Sequence, residues 1–239
     1  MTYSLAATRL TFFTTPPYVC NYLPSKQAIS LFIDPATPKS PRLHAILSSY
    51  GFRRSGEHLY RPRCLGCQAC IPVRVPVSEF RPDRNQQRTW KKNQDLRMIA
   101  APPVFKREYF QLYQKYLATR HPGGGMDDPT PQSFMEFLTS SWADTIFYEF
   151  RLDRHLLAVA VVDRMEDALS AVYTFFDPNH SARSLGRFAI LCEIEATRIA
   201  GLKWLYLGYW IKECRKMRYK NEYRPFEYMV RVNDWRRSP

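Results

Sequence analysis

The sequence predicts a mixed α/β fold, in which an antiparallel-rich mixed sheet is flanked by helices and preceded by a cysteine-containing N-terminal α+β region. Three observations support this prediction. Residues 145–176 contain three short runs rich in β-branched and aromatic residues, residues 185–200 repeat apolar residues at helical spacing, and 45% of the 239 residues are hydrophobic. A chain of this length and composition can bury a sizeable core.

The first half of the chain alternates helical and extended patterns between proline-rich joints. We expect a helix over 41–50, a hairpin over 52–61, a strand over 70–77, and helices over 84–96 and 106–119. Residues 121–131 combine three of the nine glycines with three prolines, which predicts an exposed, mobile loop. We place the boundary between an N-terminal region, 1–102, and a C-terminal region, 103–239, shortly before this loop.

The second half has a more regular pattern. The runs 145–151, 155–162 and 169–176 are separated by polar turns and predict an antiparallel meander. We expect a helix over 185–200 with Ser184 as its N-cap, a strand over 203–207, a short helix over 211–217 and a last strand over 226–230. This order resembles the core of GNAT-type acyltransferases, and a GNAT-like core does not by itself fix the substrate.

The turn before residue 185 is a candidate anion site, because backbone N–H groups and the helix dipole meet there. Acetyl-CoA enzymes of the GNAT type usually carry Arg/Gln-x-x-Gly-x-Gly/Ala at this turn. The corresponding run is Arg183-Ser-Leu-Gly186-Arg187-Phe188, in which Phe188 occupies the second small position. This argues against a standard acetyl-CoA site and leaves Arg183, Ser184, Gly186 and Arg187 able to bind another phosphate or a ribose.

The positive charge is concentrated in two separate segments. The formal net charge is +13, residues 51–100 and 201–239 carry +7 and +6, and residues 101–200 carry −3. Both basic segments interleave Lys and Arg with aromatic and amide side chains, which suits a phosphate backbone and unpaired bases. A merely solvated surface is the alternative. The separation of the two segments favours a nucleic-acid partner.

The lack of long apolar runs indicates the cellular compartment of the protein, and the compartment indicates the redox state of its cysteines. No stretch approaches the roughly 18 to 20 apolar residues of a membrane span, and residues 1–15 lack the pattern of a secretory leader. We therefore expect a cytoplasmic protein with reduced cysteines and no membrane partner. Cys64, Cys67 and Cys70, with Cys20 as a fourth ligand, predict a site for zinc or an iron–sulfur cluster. Reduced thiols that only pack are the alternative.

Eight different short motifs follow one another between residues 20 and 225. They are Cys20-Asn-Tyr-Leu-Pro24, the run from Leu59 through Cys70 to Val75, Lys91-Lys-Asn-Gln-Asp95, Tyr173-Thr-Phe-Phe-Asp177-Pro178, Arg183-Ser-Leu-Gly186, Leu205-Tyr-Leu-Gly208-Tyr209-Trp210, Cys214-Arg-Lys-Met-Arg-Tyr-Lys220 and Tyr223-Arg-Pro225. Together they resemble the arginyltransferase family of aminoacyl-tRNA protein transferases. The first motif and the triple-cysteine run look most like the bacterial branch that transfers leucine.

The resemblance implies transfer of leucine from leucyl-tRNA to the N-terminal α-amine of proteins that begin with Asp or Glu, which marks them for degradation through the N-degron pathway. The choice of leucine over arginine rests on the resemblance alone. Because an aminoacyl ester is already activated, the reaction needs no ATP, and no cofactor is expected for transfer. Three alternatives remain: an arginyl-tRNA protein transferase, an acyl-CoA-dependent GNAT N-acetyltransferase, and a non-enzymatic RNA-binding protein with a zinc site.

The implied reaction needs groups that orient an amine against an ester and stabilise the oxyanion. We expect Tyr173 and Asp177, at the end of the third meander strand, and Tyr209, after the next strand, to do this. Without the resemblance, the tyrosines would be ordinary sheet aromatics and Asp177 a turn residue.

Binding of both substrates requires cations. The expected contacts with tRNA are Trp90, Lys91, Lys92, Arg183, Ser184, Gly186, Arg187, Arg218 and Lys220, and DNA is not an expected partner. Arg74 is the candidate for the acidic acceptor residue, because a planar guanidinium binds a carboxylate bidentately and strand alternation separates it from Val73 and Val75. An exposed arginine on a surface strand is the alternative.

Overall fold

The computed structural model describes residues 4–5, 8–120, 122–123 and 128–238. Its strands are β1 (Ser4–Leu5), β2 (Thr8–Arg9), β3 (Phe12–Thr14), β4 (Tyr18–Val19), β5 (Gln27–Ala28), β6 (Ser30–Ile33), β7 (Arg53–Ser55), β8 (His58–Pro62), β9 (Ile71–Pro76), β10 (Arg97–Ala101), β11 (Asp144–Leu152), β12 (His155–Arg164), β13 (Ala168–Phe176), β14 (Trp204–Trp210), β15 (Glu227–Arg231) and β16 (Asp234–Arg237). The α-helices are α1 (Pro41–Ser49), α2 (Arg84–Lys92), α3 (Arg107–Arg120), α4 (Pro131–Leu138) and α5 (Leu185–Ile199), and Pro178–Arg183 and Arg218–Glu222 are 3-10 helices.

A small sheet and one helix form the N-terminal layer. The sheet has the order β3-β6-β8-β7 and includes the predicted hairpin as β7 and β8. Helix α1 begins where Ser40 accepts a hydrogen bond from the Leu43 N–H and Pro41 supplies the fixed φ of the first turn. Leu31, Leu47 and further apolar side chains fill the space between sheet and helix.

The large sheet contains eight strands in the order β10-β11-β12-β13-β14-β9-β15-β16. Every neighbouring pair is antiparallel except β13 and β14, which run parallel. The predicted mixed α/β class with an antiparallel-rich mixed sheet is therefore confirmed. Strands β9 and β10 precede residue 102 and lie in the same sheet as later strands, so the division of the chain at that residue remains a prediction.

Helices cover both faces of the large sheet because the strand side chains alternate. On β12, Ala158, Ala160 and Val162 pack with α5, whereas Val159 and Val161 pack with α3 and α4. This alternation places one apolar layer on each face. The meander, α5 and the strand predicted over 226–230 are confirmed close to their predicted bounds, but that strand is not the last, because β16 follows it.

Three sequence-based elements differ from the structure. The helix predicted over 84–96 ends at Lys92, and it is followed by β10, a strand that was not predicted. The helix predicted over 211–217 is wrong, because this segment consists of successive turns with hydrogen bonds from Cys214 N–H to the Ile211 carbonyl and from Met217 N–H to the Cys214 carbonyl. The preceding strand extends to Trp210, three residues beyond its predicted end.

The predicted loop over 121–131 overlaps residues that lie outside the described part of the chain, namely 121 and 124–127. Its last residue, Pro131, begins α4, and Thr130 accepts a hydrogen bond from the Ser133 N–H as the N-cap. Among the described helices, none combines the length and the apolar character that crossing a membrane requires.

Candidate functional site: a cleft between diverging strands and the adjacent basic face

The parallel strands β13 and β14 separate after a short paired stretch. Their register joins Ala168–Ser170 to Trp204–Tyr206, after which β13 continues to Phe176 and β14 to Trp210. We call the space between the separated parts the strand cleft. Such a cleft exposes strand edges and the start of the following helix to a ligand.

Asp177 follows the last residue of β13 and carries a negative charge. Its carboxylate accepts hydrogen bonds from Lys115 Nζ at 2.8 Å and from the Asn179 N–H at 2.9 Å. Burial raises the pKa of this carboxyl, but the hydrogen bonds outweigh that effect and the pKa ends below its usual range. Asp177 is thus a fixed, ionised acceptor beside the start of α5.

The two tyrosines predicted to act in catalysis are buried in different ways. The hydroxyl of Tyr173 is buried among Tyr113, Tyr116 and Phe137 and has no hydrogen-bond partner among the described residues. Tyr209 donates a 2.9 Å hydrogen bond to the Gly51 carbonyl, which ties β14 to the N-terminal layer. Burial raises the pKa of both tyrosines, so both keep their protons at neutral pH.

The turn before α5 has an unusual geometry. Ser184 precedes the helix as predicted, but it adopts a left-handed conformation with φ 53° and its hydroxyl does not cap the helix. Instead, its carbonyl accepts from the Arg187 and Phe188 N–H groups. Gly186 lies against the ring of Phe176, since a Cβ there would be 3.2 Å from that ring. The exposed Ser184 side chain is therefore free for a ligand of this turn.

Helix α2 packs beside this turn, and its Gln86 donates a hydrogen bond to the Glu222 carbonyl of the second basic segment. Trp90 contacts Phe188 of α5, with ring centroids 5.6 Å apart. Lys92 Nζ donates to the Ala182 carbonyl at 2.7 Å, and Arg183 forms a bidentate pair with Asp95 at 2.8 and 2.7 Å. Residues far apart in sequence thus share one surface.

The 3-10 helix Arg218–Glu222 extends the same surface. Arg187 pairs with Glu222 at 2.6 Å, and the exposed Arg218 accepts through its carbonyl a hydrogen bond from the Trp210 indole. We define the basic face as the set of side chains shared by these elements: Trp90, Lys91, Lys92, Arg183, Arg187 and Arg218. All six are at least partly exposed.

Lys220 differs from the rest of its segment because its side chain is buried at 7% exposure. Burial and the nearby Arg53 lower its pKa well below the usual range. The sequence-based expectation of a phosphate contact assumed an exposed, charged lysine. The structure instead shows a buried amine, because the chain turns this residue inward behind the exposed Arg218.

Arg74 lies on β9, and all parts of its guanidinium are engaged. It forms an ion pair with Glu227 at 2.7 Å, donates to the Tyr206 hydroxyl at 3.0 Å, and stacks between Trp204 and Trp235 at 3.9 and 4.3 Å from the ring centres. Its predicted role in binding an acidic acceptor remains a prediction. In the structure it joins three strands and the indole of β16.

The four N-terminal cysteines are neighbours but do not form a ligand group. Cys20, Cys64 and Cys70 line one pocket with Tyr60 and Tyr209. Burial, followed by the other three thiols, raises the pKa of Cys70 to about 12. In the part of the chain that the structure describes, no three His, Cys, Asp or Glu side chains are placed to hold a metal ion.

The arrangement therefore does not fit the predicted zinc or iron–sulfur site. Three of the thiols have other partners: Cys64 exchanges hydrogen bonds with the backbone of Ile29, Cys20 accepts from the Leu23 N–H, and Cys67 accepts from Lys26 Nζ.

Sequence reasoning missed two polar residues at the strand cleft, the half-buried Arg53 and the buried Glu193. Arg53 Nη1 and both carboxyl oxygens of Glu193 are buried without a hydrogen-bond partner in the described residues. The signal that points to this place is Gly208, an isolated glycine inside a strand pattern, which indicates close approach of another group. Its φ of +79° and the adjacent Arg53 side chain confirm that approach.

The comparisons with known proteins agree along the chain. A family model described as "Arginine-tRNA-protein transferase, N terminus" matches residues 18–88, and one described as "Arginine-tRNA-protein transferase, C terminus" matches residues 108–230. Among solved structures, FemX aligns with a TM-score of 0.47 and 8% identity over 83% of this chain and 79% of that one. The C-terminal domain of a putative lysylphosphatidylglycerol synthetase from Agrobacterium fabrum aligns with a TM-score of 0.46 and 15% identity over 61% and 47%. Both scores are too low to carry an argument.

Curated relatives are similar over almost their full length. Proteins named aspartate/glutamate leucyltransferase from Pseudomonas syringae pv. tomato and Pseudomonas fluorescens are each 53% identical over 93% of this chain and 94% of their own. One from Pseudomonas putida is 51% identical with the same coverage. With both halves matched by family models and the whole chain by these relatives, the protein belongs to the arginine-tRNA-protein transferase family, an aminoacyltransferase family that includes these leucyltransferases.

Proposed function

We propose that this protein transfers leucine from leucyl-tRNA to the N-terminal α-amine of proteins that begin with Asp or Glu. The observation that carries the proposal is the identity of about one residue in two, along nearly the whole chain, with relatives named aspartate/glutamate leucyltransferase. We further propose that the reaction takes place in the cytoplasm and marks its products for degradation through the N-degron pathway.

The main requirement of this reaction is that the protein positions the amine and the ester of its two substrates. The ester of an aminoacyl-tRNA is already activated, and an α-amine with a pKa of about 7.7 to 8.0 is partly neutral at cellular pH. Holding amine and ester together and stabilising the oxyanion can supply most of the rate enhancement. No ATP and no cofactor are required by this scheme.

The basic face supports a role in holding the donor. Its cations, together with Trp90, suit the phosphates and unpaired bases at the end of a tRNA. Ser184 and Gly186 at the start of α5 extend this surface toward the strand cleft, where backbone N–H groups favour an anion. Asp177 directly follows β13, one of the two strands of the cleft, and we assign it to orienting the ester end of the donor.

The strand cleft supports a GNAT-like core for the reaction. A parallel pair of strands that separates in front of a helix N-terminus gives the amine and the ester a shared space inside an otherwise antiparallel sheet. Tyr173 and Tyr209, on the two strands that form the cleft, are proposed to fix the backbone around the reactants. Their buried hydroxyls suit a positioning role rather than proton transfer.

A donor-by-acceptor matrix tests the proposal. Purified protein is offered leucyl-, phenylalanyl-, arginyl- and methionyl-tRNA with peptides that begin with Asp, Glu, Lys, Arg or Ala. We expect transfer of leucine to the Asp and Glu peptides only. Arginine on the same acceptors would place the protein in the arginyl branch, and absence of transfer from every donor would contradict an aminoacyltransferase.

A further inference from the structure

Arg53 extends from β7 into the strand cleft and spans it. Its Nη2 donates a 2.6 Å hydrogen bond to the carbonyl of Ala171, the first residue of β13 beyond the paired stretch. On the opposite side it passes Gly208 of β14, where a Cβ would overlap the guanidinium. The guanidinium therefore lies at the point where the two strands separate.

The guanidinium of Arg53 has unused hydrogen-bonding capacity. Nη1 is buried and no described residue accepts a hydrogen bond from it. None of the ion pairs in the described part of the chain includes Arg53. A buried donor without a partner is unfavourable, and a ligand that accepts a hydrogen bond from Nη1 removes this cost.

The titratable groups around Arg53 do not balance its charge. Burial raises the pKa of Glu193 to about 8, although Arg53 opposes this shift, so this carboxyl is mostly protonated at neutral pH. Burial, followed by the nearby Arg53, lowers the pKa of Lys220 well below its usual range. Burial also raises the pKa of Tyr209 and of Tyr219, so both remain neutral. None of these neighbours forms an ion pair that supplies Arg53 with a negative charge.

We propose that Arg53 binds the side-chain carboxylate of the acceptor's N-terminal Asp or Glu and thereby determines acceptor specificity. The proposal rests on the proposed function, because it names the residue that recognises the second substrate. A planar guanidinium with a free Nη1 matches a carboxylate. Arg74, by contrast, already donates to Glu227 and Tyr206.

A tRNA phosphate is the competing anion for Arg53, and its position argues against it. Arg53 is half-buried and the neighbouring Lys220 is buried, whereas Arg218 is exposed. Phosphodiester contacts come from exposed cations such as those of the basic face. A short acidic side chain suits this enclosed cation better than a nucleic-acid backbone.

The test compares peptides that begin with Asp with otherwise identical peptides that begin with Asn. The readouts are kcat/KM for leucine transfer and, without tRNA, the Kd of each peptide by calorimetry. Arg53→Gln should lower the Asp-to-Asn ratio of both quantities by about tenfold or more, as expected for loss of a hydrogen bond to a charged group. The ratio is independent of the folded fraction of each preparation.

Two further variants separate the effect of charge from that of geometry and provide a control. Arg53→Lys retains the charge without the planar fork, and should give an intermediate ratio even if Arg53→Gln folds poorly. Arg61→Gln is the matched control, since Arg61 lies on the adjacent strand β8, donates to the Tyr50 carbonyl and packs over Phe52. This control should leave the ratio unchanged.

Two results would overturn the inference. An equal loss for Asp and Asn peptides would assign Arg53 to the shared reaction centre, and a selective loss of tRNA affinity would assign it to a phosphate. Failure of the wild-type protein to transfer leucine to Asp peptides would instead refute the proposed function, which separates the two failures.

Discussion

Two arginines on opposite sides of β14 show how differently the same side chain can be used. Arg74 is opposite Tyr206 in the register of β9 and β14, and a carboxylate, a hydroxyl and two indole rings occupy its guanidinium. Arg53 passes Gly208, two residues further along, with one backbone acceptor and one unpaired nitrogen. A completed set of partners indicates a structural cation, whereas an incomplete set beside a cleft indicates a cation that awaits a ligand.

The largest effect that tests this comparison is expected from Gly208→Ala. The new Cβ would overlap the Arg53 guanidinium and would sit at a φ of +79°. We expect the free energy of unfolding to fall by about 3–5 kcal/mol and leucine transfer to be lost. Chemical denaturation and the transfer assay measure both.

Gly201→Ala is the matched control for that substitution. Gly201 also has a positive φ, +68°, but its added Cβ would meet nothing within 4 Å. It should cost only about 1–2 kcal/mol, the penalty of the left-handed conformation, and leave transfer intact. Equal effects of the two variants would show that the Arg53 contact is irrelevant at Gly208.

The next effect is expected from Arg74→Met, and it should appear in stability rather than specificity. Removing the guanidinium leaves Glu227 half-buried without its cation and removes the stacking on two indoles, which should cost about 2–3 kcal/mol of unfolding free energy. The Asp-to-Asn ratio should stay at the wild-type value. A reduced ratio would restore Arg74 as the acceptor-binding residue.

A pH-dependent effect concerns Glu193, whose mostly protonated carboxyl leaves Arg53 without a counter-charge. Because its folded pKa of about 8 is above the usual 4.5, its contribution to stability is fully present below pH 4.5 and is lost as the pH rises through 8. Relative to Glu193→Gln, the wild-type protein should therefore lose roughly 1 kcal/mol per pH unit within this window. Denaturation curves between pH 5 and pH 8 measure the difference, and parallel curves would mean that Glu193 is ionised and pairs with Arg53.

Local patterns predicted the elements that are built from regular repeats. The meander and α5 were predicted because apolar residues alternate along the strands and recur at helical spacing in residues 185–199. The helix at 211–217 was predicted wrongly because Ile211, Cys214 and Met217 have helical spacing. In the structure this segment forms successive turns, and these turns bury Ile211 and Cys214 beside Tyr209.

Local sequence patterns could not predict which side chains contact each other across the fold. Arg53 and Arg54 are adjacent in sequence, and strand alternation sends Arg54 to a buried pair with Asp163 at 2.5 Å and Arg53 to the cleft. Nothing local distinguishes them, because Asp163 and Ala171 are more than 100 residues away. The basic face was predicted residue by residue from charge, but the contact of α2 with the turn before α5 depends on the completed fold.

The placement of β9 between β14 and β15 has a consequence for biosynthesis. Arg74 and Glu227, which face each other across β9 and β15, are separated by 153 residues of chain. When β9 leaves the ribosome, both of its future neighbours are still untranslated, so the middle of the sheet stays open until the last strands emerge. Pairings of such high contact order form slowly. A nascent chain that stops before β14 also lacks one wall of the strand cleft, and we expect it to be inactive.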